Sequence, residues 1–259
     1  MKNILNSSFG EKWRKYFNGA ALPIVFFYSD DERYAALLRP KPTRASGLYC
    51  LMGQLNAARR GEDLAFSKDT IGCFGGLRYA GYTTTYSPDF KYFLSCGIPG
   101  KMEGERYKKS PEIVERIIRE MPPREAEAKY IVFKRWDRVG EDESPQVVVC
   151  YGRPDVIAGL FTLANFRNAG DHGVVTPFSS GCGVVIGQPM TEAKKENPRA
   201  VLGLFDPSAR PFIEGNTLTL AVPIKKFLEM AEDMEESFLI TPTWDKVLHR
   251  IKKDSAGDS

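Results

Sequence analysis

The sequence predicts an α/β fold (mixed α+β) of two tandem-duplicated halves related by a pseudo-twofold, with helices packed on mixed β-sheets. Three observations predict it. Apolar runs of strand length alternate with segments that place apolar residues at helical spacing. Residues 51–73 align without a gap on residues 160–182. Both aligned segments end in the same pair, Gly72-Cys73 and Gly181-Cys182.

Taken in order, Phe9 to Phe17 predicts a short helix with Ser7 or Ser8 as its N-cap. Ile24 to Tyr28 is a continuous apolar run of strand length, entered through Pro23 and left through Ser29-Asp30-Asp31. Ser46 to Arg60 has a helical pattern that stops at Gly61, a residue suited to the left-handed position after a helix. Leu64 to Phe66 has strand character. Pro111 to Met121 puts Ile113, Val114, Ile117 and Ile118 on one helix face, with Ser110 placed to cap it and Pro111 at its first turn. Pro122-Pro123 ends that helix, and the charged run Arg124 to Lys129 reads as a linker.

The second half follows a similar order. Tyr130 to Trp136 and Gln146 to Tyr151 predict strands, Pro154 to Asn168 a helix, and Val174 to Phe178 a further strand-like segment. Thr217 to Val222 predicts a strand that runs through Pro223 into a helix from Ile224 to Phe238. The expected organisation is a first half over residues 1–122, a second over 130–251, and a disordered tail over 252–259; the halves are also compatible with one compact domain. Leu51 matches Leu160, Asn56 matches Asn165 and Gly61 matches Gly170. With small shifts, Ile24-Val25-Phe26 matches Ile131-Val132-Phe133 and Glu103-Gly104 matches Glu214-Gly215, so the blocks stay collinear.

The 36 basic and 33 acidic residues nearly cancel, for a formal charge of +3, and this lacks the basic footprint of a nucleic-acid binder. Apolar runs such as Pro23 to Tyr28 are too short to cross a bilayer, and Met1 to Phe17 lacks the apolar stretch of a signal peptide. A cytoplasmic protein without nucleic-acid or membrane partners is therefore expected. Its five cysteines are then read as buried, catalytic or metal-bound thiols rather than as a disulfide framework.

The repeated signature is Thr70-Ile71-Gly72-Cys73 and Ser179-Ser180-Gly181-Cys182. Each copy follows a strand-like segment and precedes residues able to open a helix. Each thiol is thus expected near a helix start, where unpaired amides favour the thiolate. If the two thiols meet across the pseudo-twofold, they form a redox pair or two ligands for a soft metal. The competing expectation is that each is a small buried residue at a glycine-lined contact. Cys50 and Cys96 would complete a four-thiolate zinc or iron–sulfur set, although no Cys-x-x-Cys spacing marks one. No other cofactor is indicated.

Cys150, inside an apolar strand, is expected in the core. His172 is either a base for Cys182 or a turn residue, and His249 a surface residue near a helix end. Two histidines exclude a His-rich metal site. Gly181, Gly183 and Gly187 read as close backbone packing rather than as a dinucleotide loop. Arg106, Tyr107, Lys108 and Lys109 precede the helix at Pro111, and form either an anion site or a solvated loop. Upstream, the aromatic run from Tyr79 to Phe93 lines a pocket or forms one face of a hairpin. The candidate ligand-binding set is therefore Cys50, Gly72, Cys73, Cys96, Arg106, Gly181 and Cys182.

The sequence resembles the DUF169 family of archaeal and bacterial proteins. The likeness rests on the helix Ser46 to Gly61, on Cys73-Phe74-Gly75-Gly76 with Leu77 and Gly81, and on Ser180-Gly181-Cys182 to Pro189. It continues through Leu202-Gly203 to Arg210 and Leu220-Ala221-Val222-Pro223-Ile224. The family pattern often has a Gly-Cys-Pro-Gly-like loop where this chain reads Leu204-Phe205-Asp206-Pro207, so the resemblance does not imply a symmetric four-cysteine site. It implies relatives without implying an activity. Three functions stand open: a protein binding a small ligand, an anion or a metal between its halves near Cys73 and Cys182; a thiol-dependent or redox enzyme using one of those thiols; and a structural or interaction protein, monomeric or homo-oligomeric, whose repeat completes a core.

Overall fold

The apolar runs of the sequence become the strands of one sheet. The structure, a computed structural model, describes residues 2–42, 49–121, 124–170 and 172–256. Its strands are β1 (Ile24–Ser29), β2 (Leu64–Phe66), β3 (Tyr130–Arg135), β4 (Val147–Gly152), β5 (Val174–Val175), β6 (Ala200–Gly203) and β7 (Leu218–Pro223). They pair in the order β2-β3-β1-β4-β7-β6-β5. Five of the pairings are antiparallel; only β5 and β6 run parallel.

Strand alternation sends neighbouring residues to opposite faces, and here both faces are covered. In β4, Val147, Val149 and Tyr151 join a cluster with Leu51, Met52, Leu55 and Cys182. Val148 and Cys150 join a second cluster with Trp13, Phe17, Leu160 and Trp244. Burial on both sides explains why β1 and β4 are continuous apolar runs rather than alternating ones. One face carries the helix α2 (Leu51–Arg59), and the other carries α1 (Lys2–Tyr16), α6 (Pro154–Ala164), α8 (Ile224–Asp233) and α9 (Pro242–Ala256). The short helices α3 (Phe74–Tyr79), α4 (Phe90–Phe93), α5 (Pro111–Glu120) and α7 (Gln188–Glu192) connect them.

The mixed α/β class is as the sequence predicts, but the sheet does not evidence the expected duplication. β3 lies between β2 and β1, so a strand from beyond residue 122 is inserted into the first half. The aligned segments holding β2 and β5 reach opposite edges of the sheet, where β2 pairs antiparallel and β5 parallel. Shared spacing of small and apolar residues therefore does not carry over into matched topology.

Several boundaries differ for local reasons. α2 begins at Leu51 with Cys50 as its N-cap, and residues 43–48, which include the expected start at Ser46, lie outside the described residues. α6 ends at Ala164 because Asn165 turns its side chain back: its amide donates to the Phe161 carbonyl (2.9 Å) while its oxygen accepts from the Gly173 amide (2.9 Å). The Pro122-Pro123 stop also lies outside the described residues. α9 runs through Lys252 to Ala256, where the sequence reading placed the start of a tail.

The sheet centre is tested at Phe26, which is fully buried, pairs with Phe133 across β1 and β3, and lies 5.4 Å from its ring. Phe26→Ala is expected to destabilise the protein by about 3–5 kcal/mol. Urea unfolding should show a lower midpoint with an unchanged slope; an unchanged midpoint would contradict this packing.

Candidate functional site

Three cysteines stand at three helix starts on the same face of the sheet. Cys50 caps α2, Cys73 caps α3, and Cys182 precedes a π-helical turn over Gly183–Gly187. Cys73 adopts extended backbone angles, and its sulfur accepts the Gly76 amide proton at 3.3 Å. This is the arrangement by which a side chain satisfies an orphan donor of a first helical turn. The amides of Leu51 and of Cys73 itself also favour its anion.

Close backbone approach brings the cysteines together. A Cβ on Gly181 would lie 2.8 Å from Met52 Cγ, and one on Gly72 2.9 Å from the Pro42 carbonyl oxygen. Tyr79, at the end of α3, fills the space beside the π-helical turn: a Cβ on Gly187 would meet its ring at 2.7 Å. The Tyr79 hydroxyl accepts from Ser179 Oγ at 3.1 Å, which ties α3 to the residues just before Cys182. The glycines of this stretch therefore serve close packing, as their spacing suggests.

Cys73 and Cys182 shift each other's acidity in opposite senses. The interaction with the Cys182 side chain lowers the pKa of Cys73 to about 6, helped by the amides and opposed by burial. Cys182 moves in the opposite sense: the proton it holds against Cys73 raises its pKa well above the usual thiol value. Burial and the nearby charges of Cys73, Cys50 and Asp206 raise it further. Cys73 is half-buried, whereas Cys182 is 5% exposed. The pair thus consists of a half-buried thiol held toward its anion and a buried thiol held toward its protonated form.

Cys50 completes the group as a half-buried thiol whose pKa is raised by burial, then lowered somewhat by the Gly53 amide. Asp206, 5% exposed, braces the site from the loop after β6. Its carboxylate accepts from the Gly181 amide at 3.1 Å, from the Ser208 amide at 3.0 Å and from Ser208 Oγ at 2.8 Å. Leu204, two residues before Asp206, is buried at φ 71°, a left-handed conformation unfavourable for a residue with a Cβ. Tyr151, on β4, is buried in the same cluster, and Arg59 lies over its ring at 4.7 Å.

Cys96 and Arg106 stand elsewhere. Cys96 is exposed, with its sulfur near Ser95 Oγ (3.9 Å) and the Gly97 carbonyl (3.5 Å). Together with Arg106 it lines an open pocket of about 490 Å³. A second pocket, of about 260 Å³, opens beside Arg59, Tyr151 and Glu214. Among the described residues, no set of three or more His, Cys, Asp or Glu side chains is arranged to hold a metal ion. His172 is exposed, whereas the groups acting on the buried Cys182 are Cys73, Cys50 and Asp206. Cys150 is core, at 1% exposure.

The family model of DUF169, described as uncharacterised ArCR, matches residues 20–233, and this span includes every member of the cysteine cluster. The chain belongs to the DUF169 family. No curated protein and no solved structure matches it. In this DUF169 chain, sequence reasoning gave Asp206 no role; it named Ser179 in the repeated signature and Tyr79 in the aromatic run but placed neither in the ligand-binding set. No helix among the described residues is long and apolar enough to cross a membrane.

The acidity of Cys73 predicts a pH-dependent stability. Its folded value, about 6, lies below the ordinary thiol value of 9.0, so between these pH values the folded chain holds fewer protons than the unfolded one. Stability from this group therefore rises from pH 6 to 9 and is lost as pH falls through 6; Cys182 acts oppositely, above pH 9. Urea midpoints are expected to rise more steeply over pH 6–9 in the native protein than in Cys73→Ser. Equal slopes would contradict the assignment.

Proposed function

We propose that Cys73 and Cys182 form a dithiol–disulfide couple, with Cys73 as the attacking thiolate and Cys182 as the resolving thiol. What supports this reading is the pairing of a half-buried thiol at a helix start, its pKa lowered by Cys182, with a buried thiol whose pKa is raised by Cys73. A thiolate is the nucleophile in thiol–disulfide exchange, and a pKa near ambient pH suits it to attack.

The substrate class is a disulfide, RSSR. Cys73 Sγ attacks one substrate sulfur, the S–S bond breaks, and one RS⁻ leaves with its electron pair. A mixed disulfide then links Cys73 to the remaining RS group. Once Cys73 is no longer an anion, the two interactions with it that raise the pKa of Cys182 disappear. Cys182 then gives up its proton more readily, to the leaving thiolate or to solvent. Its sulfur attacks Cys73 Sγ, closes the intramolecular disulfide and expels the second RS⁻. Two electrons pass from the protein to the substrate, and the reverse sequence oxidises two thiols. The charge of Asp206, which remains, moderates the release of that proton.

Peptide mapping of the reduced protein after exposure to glutathione disulfide tests the order of events. The native chain should yield a Cys73–Cys182 bridge, Cys182→Ser a glutathione adduct on Cys73, and Cys73→Ser neither product. Adducts confined to the exposed Cys96, with Cys73 unmodified, would contradict the proposal.

A further inference from the structure

Arg78, in α3, is 4% exposed, and its Nε is buried without a hydrogen-bond partner; among the described residues no carboxylate pairs with its guanidinium. The guanidinium lies over the face of Tyr86, 4.9 Å from the ring centroid. A guanidinium is charged at any physiological pH, and leaving one buried without a counter-charge is strongly unfavourable. Structural arginines in this protein are answered by acids: Arg167 meets Asp233 through a fork of bonds of 2.7–3.0 Å, and Arg199 meets Glu192 at 2.8 Å. Arg78 is not.

Arg124 approaches the same neighbourhood from another element. Its Nη2 donates to the Tyr28 hydroxyl at 3.3 Å, and that hydroxyl donates at 2.8 Å to the carbonyl of Ala80, two residues beyond Arg78. Its Nε is also buried without a partner, and among the described residues no carboxylate pairs with it. Tyr86, beneath Arg78, donates to the sulfur of Met121, just before the segment that delivers Arg124. The Phe74 and Phe90 rings lie 5.9 and 4.9 Å from that of Tyr86. The result is an unneutralised guanidinium, that of Arg78, beside a cluster of half-buried aromatic rings, with a second, that of Arg124, over Tyr28, whose hydroxyl reaches the end of α3.

We propose that Arg78, assisted by Arg124, binds the oxyanion group of a small ligand, a phosphate or a carboxylate, against the face of Tyr86. Arginine suits this role because its planar fork can give two parallel hydrogen bonds to one oxyanion while its face remains stacked on an aromatic ring. The proposal does not depend on the dithiol chemistry: an anion held here is bound whether or not Cys73 reacts.

Thermal unfolding at fixed ionic strength tests it, with inorganic phosphate and benzoate each compared with chloride. At saturating ligand one or both should raise the Tm of the native protein by about 2 °C or more, and the anion that does so identifies the group recognised. In Arg78→Met the shift should vanish. Without added anion, Arg78→Met should unfold at or above the native Tm, because it removes an unpaired buried charge and leaves no broken ion pair. Arg78→Lys, which keeps a charge but loses the fork and the stacked plane, should retain only part of the shift. No shift with either anion in the native protein would overturn the proposal. So would equal shifts in Arg78→Met, or a large loss of Tm in that variant with no anion effect in the native chain.

Discussion

The mutual shift in acidity of Cys73 and Cys182 depends on two stretches of chain more than one hundred residues apart in sequence, and the rest of the site is arranged around it. A helix start supplies amide protons, but those amides alone do not separate the acidities of the two thiols. Separation needs the second sulfur close enough to donate its proton and buried deeply enough to keep it. The glycines at 72 and 181 and the Tyr79 side chain against the π-helical turn provide that closeness. The sheet face formed by Val147, Val149 and Tyr151 provides the burial.

Asp206 shows how the site is held from outside the cysteine motifs. Its carboxylate is spent on the Gly181 amide and on Ser208, so it fixes the turn that carries Cys182 while its charge disfavours a second anion there. The strained backbone at Leu204, just upstream, is consistent with a loop whose course is set by the site rather than by its own preferences. The asymmetry between Cys73 and Cys182 is therefore an outcome of three loops meeting, and neither thiol would have its acidity in isolation.

Much of the architecture was legible because it depends on local pattern. The apolar runs at β1, β3, β4 and β7 and the helix starts at Pro111, Pro154 and Ile224 carry their own signals. The repeat is not evidenced in the sheet: [S/T]-x-G-C recurs at two thiols, but the aligned segments that hold β2 and β5 reach opposite edges. Cys50, Cys73 and Cys182 were readable as a set, whereas the exclusion of Cys96 follows from a loop that turns outward. Asp206 and Arg78 were not readable, since their significance lies in what surrounds them: three donors on the first, and no acid on the second.

The central claim is that one cysteine of the five is a thiolate near neutral pH because a second donates to it. Thiolate absorbance in the ultraviolet, followed as the reduced protein is titrated, measures this directly. The account predicts one thiolate appearing with a midpoint near pH 6, absent in Cys73→Ser and displaced upward in Cys182→Ala, which leaves no side-chain donor. A native protein whose accessible thiols all ionise above pH 8, or a midpoint unmoved by removal of Cys182, would contradict it.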